Sequence, residues 1–120
     1  YRNNIANFYF KKLKNFNIDL PYIEKKSNST FHLFVVKLKT NKLKKRYDQI
    51  FKKIISNGIG INLHYLPLHL HPLFKKKGFK KGDFPISEDY AKKAISIPIF
   101  YGLSKKKLEK VVQVLKQTIG

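Results

Sequence analysis

The sequence predicts an α+β fold: a small antiparallel or mixed sheet of about three strands, with helices packed on one face. Three observations lead there. Apolar residues recur at helical spacing near the start, the middle and the end of the chain. Short β-branched or aromatic runs lie between those stretches, and they are too few and too short for a larger sheet. A length of 120 residues suits one domain with a modest core. Hydrophobic content of 42% places the chain among folded proteins despite its charge.

The elements follow in order. Residues 2–16 form a helix, because Ile5, Phe8, Tyr9, Leu13 and Phe16 recur at helical spacing. A polar, proline-containing segment runs from Asp19 to Thr30. Phe31–Lys39 is then a mostly buried strand, with a nearly continuous apolar run and His32 near its start. Tyr47, Ile50, Phe51, Ile54 and Ile55 fall at i, i+3, i+4, i+7 and i+8, the stripe of an amphipathic helix, and Asn57-Gly58 supplies its C-cap. Gly60 to Leu63 is expected to be a short second strand leading into a histidine-rich loop. Gly82-Asp83-Phe84-Pro85 is a turn, with Asp83 a turn residue. Ser87 and Glu88 open a short helix. Ile95–Ile99 is extended, since Ile97 precedes a proline and avoids the helical region. A last helix follows Ser104 and buries Leu108, Val111, Val112 and Leu115.

A formal charge of +19 invites a polyanion partner, because a basic surface attracts phosphate whatever else it does. The cations are almost all lysine, however, and only Arg2 and Arg46 are arginine. Arginine is the residue suited to bidentate phosphate and base contacts. The lysines are spread along the chain, and alanine occurs only at positions 6, 91 and 94. That usage is what an AT-rich genome would produce. Lys105, Lys106 and Lys107 sit in a helical first turn, where cations oppose the macrodipole. The surface therefore reads as solvated and composition-biased, with no specific nucleic-acid partner. A free-standing lysine-rich module that binds nucleic acid or another polyanion is the alternative.

No cysteine is present, which excludes disulfides and is compatible with a reducing, cytoplasmic setting. No apolar run approaches the roughly 18 residues of a membrane span, and no signal-peptide pattern opens the chain. The chain begins at Tyr1, already in a helical pattern, so it is expected to be a piece of something longer.

The most informative stretch is Gly58-Ile-Gly-Ile-Asn-Leu-His64-Tyr65-Leu-Pro67-Leu-His69-Leu-His71-Pro72. Three of the four histidines fall within eight residues, stiffened by two prolines. Such placement of titratable groups suggests a site. A metal held by His64, His69 and His71 is one reading, although no cysteine or nearby carboxylate completes the set. Acid–base work is another, but no nucleophile accompanies it. A third has His64 and Tyr65 projecting from a strand end into a pocket completed elsewhere. The fourth is a packed, proline-stiffened loop.

The run from Gly58 to Gln117 resembles the C-terminal part of the sugar-nucleotide aminotransferases of the DegT type, pyridoxal-phosphate (PLP) enzymes of fold type I. The resemblance rests on Gly58-Ile59, then His64-Tyr65-x-Pro67-x-His69-x-x-Pro72, then Gly82-Asp83-Phe84-Pro85-x-Ser87-Glu88, then Ile95-Ser96-Ile97-Pro98-Ile99-Phe100. Arg2, Ala6 and Tyr9 match the end of the family's inter-domain helix. Within the family, the stretch from His64 to Pro72 together with Gly82–Pro85 is most similar to the pseudaminic-acid-pathway enzyme.

The resemblance implies residues 1–16 as the end of an inter-domain helix and residues 17–120 as the small domain. The large PLP-binding domain, with its Schiff-base lysine, is absent. It further implies amino transfer from an amino acid, expected to be glutamate, to a UDP-linked 4-keto-6-deoxy sugar, in a homodimer. This piece would hold no catalytic residue and no metal, and alone it would be inactive. His64 is the position expected nearest cofactor and substrate, supported by Tyr65 and His69, while His71 is expected at the surface.

Overall fold

The central strand β2 (Phe34–Leu38) has antiparallel partners on both edges, β1 (Ile18–Asp19) and β3 (Ala94–Ile97). These come from a computed structural model that describes residues 1–120. The register pairs Phe34 with Ile97, Val36 with Ile95 and Leu38 with Ile18. Paired residues face the same side of a sheet, so these six apolar side chains form one inner face, and all are buried. Val35, Lys37, Ala94 and Ser96 point to the other side.

Helix α1 (Arg2–Leu13) buries Ile5, Ala6, Tyr9 and Leu13. The Tyr9 ring packs on Phe34 at 5.2 Å, and its hydroxyl donates to the Pro98 carbonyl at 2.8 Å. Helices α3 (Tyr47–Ser56) and α6 (Lys105–Ile119) add Ile50, Ile54, Leu108, Val111, Leu115 and Ile119 to the same core. Three further helices are short: α2 (Asn41–Lys45), α4 (Pro72–Lys76) and α5 (Pro85–Ala91). The predicted α+β class with a small antiparallel sheet holds.

Several boundaries move, each for a local reason. Helix α1 stops at Leu13 rather than Phe16, because Lys14–Asn17 must turn the chain back into β1. β1 itself lies at the edge of the segment read as irregular. The predicted strand from Phe31 begins only at Phe34, since Phe31 has a φ of +47° and turns the chain into the strand. Helix α2 was not foreseen; Thr40 caps it by accepting from the Leu43 N–H at 3.2 Å. Along α3, Ile50 and Ile54 are buried as the stripe requires, whereas Ile55 lies on its flank, 49% exposed. Asn57 ends α3 and Gly58 follows at φ +77°, the expected glycine cap.

The second strand expected at Gly60–Leu63 reduces to one bridge between Asn62 and Ser96. The histidine stretch is not all loop. It contains a 3₁₀ turn at Leu68–Leu70, and Pro72 then opens α4, where a missing N–H and a fixed φ suit the first helical position. Pro85 opens α5 in the same way, two residues before the expected start. Ser104 caps α6 as predicted, its hydroxyl accepting from the Lys107 N–H. The buried stripe of α6 runs through Val111, Val114, Leu115 and Thr118, a rotation that leaves Val112 at its half-buried edge.

Candidate functional site

The outer side of β3 is where the histidine segment attaches. Asn62 and Ser96 exchange two backbone hydrogen bonds, at 3.2 and 2.8 Å, which lay residues 61–64 alongside the strand. Two residues on, the half-buried His64 turns its ring toward the strand. Its Nδ1 lies 2.7 Å from the Ser96 hydroxyl, and Nε2 bonds nothing in the chain. The Tyr65 ring meets the His64 ring edge-on at 4.8 Å, and its side chain is 73% exposed.

His69 occupies a different environment. It is buried, with Nε2 2.8 Å from Glu88 Oε1 on α5. The same carboxylate oxygen accepts from the Gly82 N–H at 2.7 Å. That N–H, and then His69, hold the Glu88 carboxyl below its ordinary range. Glu88 thus ties the 3₁₀ turn, the Gly82 turn and α5 together. Next to it Asp89, paired with Lys93 and Lys44, is likewise held low by those cations.

Two clefts flank the segment, and Leu66 and Pro67 divide them. One, of about 490 Å³, is apolar and walled by Tyr65, Phe74, Phe79, Phe84 and Tyr90. The other, of about 430 Å³, carries Lys44, Lys45, Lys81 and Lys92 around Tyr47 and Leu63. Burial pushes the Tyr47 hydroxyl up to about 12, helped by the Asp48 charge and Tyr90; the hydroxyl donates to the Ala94 carbonyl. Chemically the region offers hydrogen-bond donors and acceptors, aromatic surface and cations.

The structure therefore separates the three histidines. His64 leans on β3, His69 is an interior partner of Glu88, and His71 is exposed and extended ahead of Pro72. No three His, Cys, Asp or Glu side chains converge anywhere in the chain. Tyr65 reaches the apolar cleft together with His69, while His64 lines neither cleft. Sequence reasoning missed Ser96 and Glu88 as partners. A polar residue within an otherwise apolar strand was the available signal for Ser96, because a buried hydroxyl needs a partner. Nothing local marked Glu88.

The family model for the DegT/DnrJ/EryC1/StrS aminotransferase family matches residues 1–116. An uncharacterized protein of Methanocaldococcus jannaschii is 31% identical over 121 residues, covering 99% of this chain and 31% of that protein. The dTDP-3-amino-3,6-dideoxy-alpha-D-galactopyranose transaminase of Aneurinibacillus thermoaerophilus is 28% identical, covering 97% of this chain and 30% of that one. Among solved structures, Helicobacter pylori PseC, an aminotransferase of pseudaminic acid biosynthesis, superposes with a TM-score of 0.88 at 20% identity, over 98% of this chain and 32% of its own. The chain thus spans just under a third of the length of these relatives.

Proposed function

The chain belongs to the DegT/DnrJ/EryC1/StrS aminotransferase family, and on that premise we propose that it is the C-terminal small domain of a PLP-dependent sugar-nucleotide aminotransferase. Helix α1, within residues 1–16, is the end of an inter-domain helix, and residues 17–120 are the small domain. The whole enzyme moves an amino group from an amino acid, glutamate, to a UDP-linked 4-keto-6-deoxy sugar for pseudaminic or related surface-glycan synthesis. It works in the cytoplasm as a homodimer. Alone, this domain is inactive.

The observation that carries the reading is the extent of the match. Nearly the whole of this chain aligns with about a third of the length of sugar aminotransferases, both in sequence and in fold. A transaminase acting on a dTDP-linked amino sugar supports the nucleotide-sugar class.

PLP, when bound, supplies the electron sink of amino transfer. The residues present do not compose a site for it by themselves. Every lysine of the chain is exposed or half-buried, and no buried polar side-chain atom is left without a partner. On this reading the cofactor lysine belongs to the large domain. The contribution of this chain is one wall of a cleft closed by the large domain, with Pro67 and the His69–Glu88 pair holding the segment and His64 and Tyr65 facing substrate or cofactor there.

The test uses the full-length gene product. It should bind PLP, seen in its visible absorbance, and aminate a UDP-4-keto-6-deoxy sugar with glutamate. A gene product without a PLP-binding large domain would sink the proposal. His64→Ala should lower turnover of the keto sugar while leaving the fold intact, and unchanged kinetics would refute the place assigned to His64.

A further inference from the structure

The His64–Ser96 contact has a direction that hydrogen-bond accounting determines. Ser96 is 6% exposed, and its hydroxyl has one side-chain partner within reach, His64 Nδ1 at 2.7 Å. A hydroxyl carries one proton and two acceptor sites, and a neutral imidazole carries one N–H and one bare nitrogen. If Nδ1 held the proton, it would donate to the Ser96 oxygen. The buried hydroxyl proton would then have no acceptor in the chain, a loss comparable to an unmade hydrogen bond. If Nδ1 is bare, Ser96 donates to it and both groups are satisfied. The ring proton then sits on Nε2, the nitrogen that bonds nothing else in the chain.

The backbone makes this arrangement rigid. Ser96 holds Asn62 through two backbone bonds, so the strand that sets the His64 tautomer also sets where its main chain lies. The register of β3 against β2 points Ser96 away from the helical core and toward the segment. The Tyr65 ring also packs edge-on against the imidazole at 4.8 Å.

We infer that Ser96 is a positioning residue: its buried hydroxyl donates to Nδ1 of His64 and fixes the imidazole as the Nε2–H form, a hydrogen-bond donor presented to an oxygen of the sugar nucleotide. This rests on the reading of His64 as facing the substrate. It assigns His64 the role of donor at Nε2 and makes the serine of the Ile95–Phe100 tract part of substrate recognition.

The experiment uses the full-length enzyme with ¹⁵N-labelled histidine, long-range ¹H–¹⁵N correlation and a His64→Gln variant to assign the signal. Expected is the Nε2–H pattern for His64 in the wild type, a mixture of tautomers in Ser96→Ala, and the wild-type pattern again in Ser96→Thr, which keeps the hydroxyl. In parallel, Ser96→Ala should lower kcat/KM for the keto sugar about tenfold, equivalent to roughly 1.4 kcal/mol, and Ser96→Thr should restore it. An Nδ1–H signal in the wild type, or an unchanged His64 signal and unchanged kinetics in Ser96→Ala, overturns the inference. If instead the tautomer follows Ser96 but His64→Gln turns over normally, the cleft assignment of His64 fails and the hydrogen-bond assignment stands.

Discussion

Replacing Tyr9 with phenylalanine should loosen β3 measurably without disturbing the core. The Tyr9 side chain is fully buried, and its ring contacts on Phe34 at 5.2 Å and Phe8 at 6.1 Å survive in phenylalanine. What is lost is the 2.8 Å bond from the hydroxyl to the Pro98 carbonyl, which joins α1 to the residue just after β3. A net hydrogen bond contributes about 0.5–1.5 kcal/mol, and a stranded buried acceptor costs about 1–3 kcal/mol. Pro98 is only half-buried, so water can partly replace the phenol and the lower end applies. The expected cost is about 1–2 kcal/mol, roughly a 5- to 30-fold rise in the open population. Hydrogen exchange of the β2 and β3 amides in the full-length protein reads this directly, because it reports local opening. Tyr9→Ala should cost more, about 3–5 kcal/mol, since it also empties the ring volume. If Tyr9→Phe left β3 protection unchanged, the hydrogen bond would not be tying α1 to the strand. If it were as damaging as Tyr9→Ala, the packing argument would be wrong.

The remaining predictions concern charge and backbone. The Tyr47 hydroxyl is raised from 10.0 to about 12, so its contribution is fully present below pH 10 and is lost as pH rises toward 12. Tyr47→Phe should therefore lose less stability than wild type across that window in a pH-jump unfolding series; identical slopes would contradict the burial. Glu88 is held below its ordinary 4.5, so its contribution is present above pH 4.5 and disappears as pH falls through the lower folded value. In acid unfolding followed by circular dichroism, Glu88→Gln should flatten that decline, and an unaltered acid limb would count against the Gly82 and His69 contacts. Gly58 sits at φ +77°, where an L side chain costs about 1–2 kcal/mol. Its only crowding neighbour is the flexible end of Lys110, 3.3 Å from an added Cβ. Gly58→Ala should lower Tm by that strain alone, and Lys110→Ala should not rescue it; a full rescue would locate the cost in contact rather than backbone.

The α+β class and the long amphipathic helices were legible because they depend on periodicity, which one strand of text carries. Ile50 and Ile54 on α3, and Leu108, Val111 and Leu115 on α6, needed only spacing to be placed inside. Elements created by tertiary pairing were not legible. β1 is two residues long and exists because Leu38 and Lys37 offer it an edge. The segment at Gly60–Leu63 has strand-like composition but meets the sheet at one point, Asn62 against Ser96. The helix at Pro72, and the true start of the short helix at Pro85, were hidden for a different reason. A proline reads first as a helix breaker, and only its position at the first turn turns it into a helix starter.

The clustering of histidines has a physical explanation in how the segment is anchored. A stretch carrying Tyr65, Leu66 and Leu68 at high exposure gains little from burial of its own apolar side chains. It is held instead at two separated points, each an imidazole nitrogen bonded to a polar side chain of another element: His64 to Ser96 of β3, and His69 to Glu88 of α5. Histidine suits this because one ring nitrogen can be committed inside while the ring adds apolar contact. The two anchors then differ in what they leave free. At His69 the committed atom is Nε2 and the ring is buried, so the pair sets shape. At His64 the committed atom is Nδ1 and the ring is half-buried, so Nε2 stays available. His71 has neither anchor nor burial, and the proline after it accounts for its extended backbone. Three neighbouring imidazoles thus divide into a clamp, an anchored ring with a free Nε2 and a solvated residue. The division follows from which element each one meets, not from their spacing along the chain.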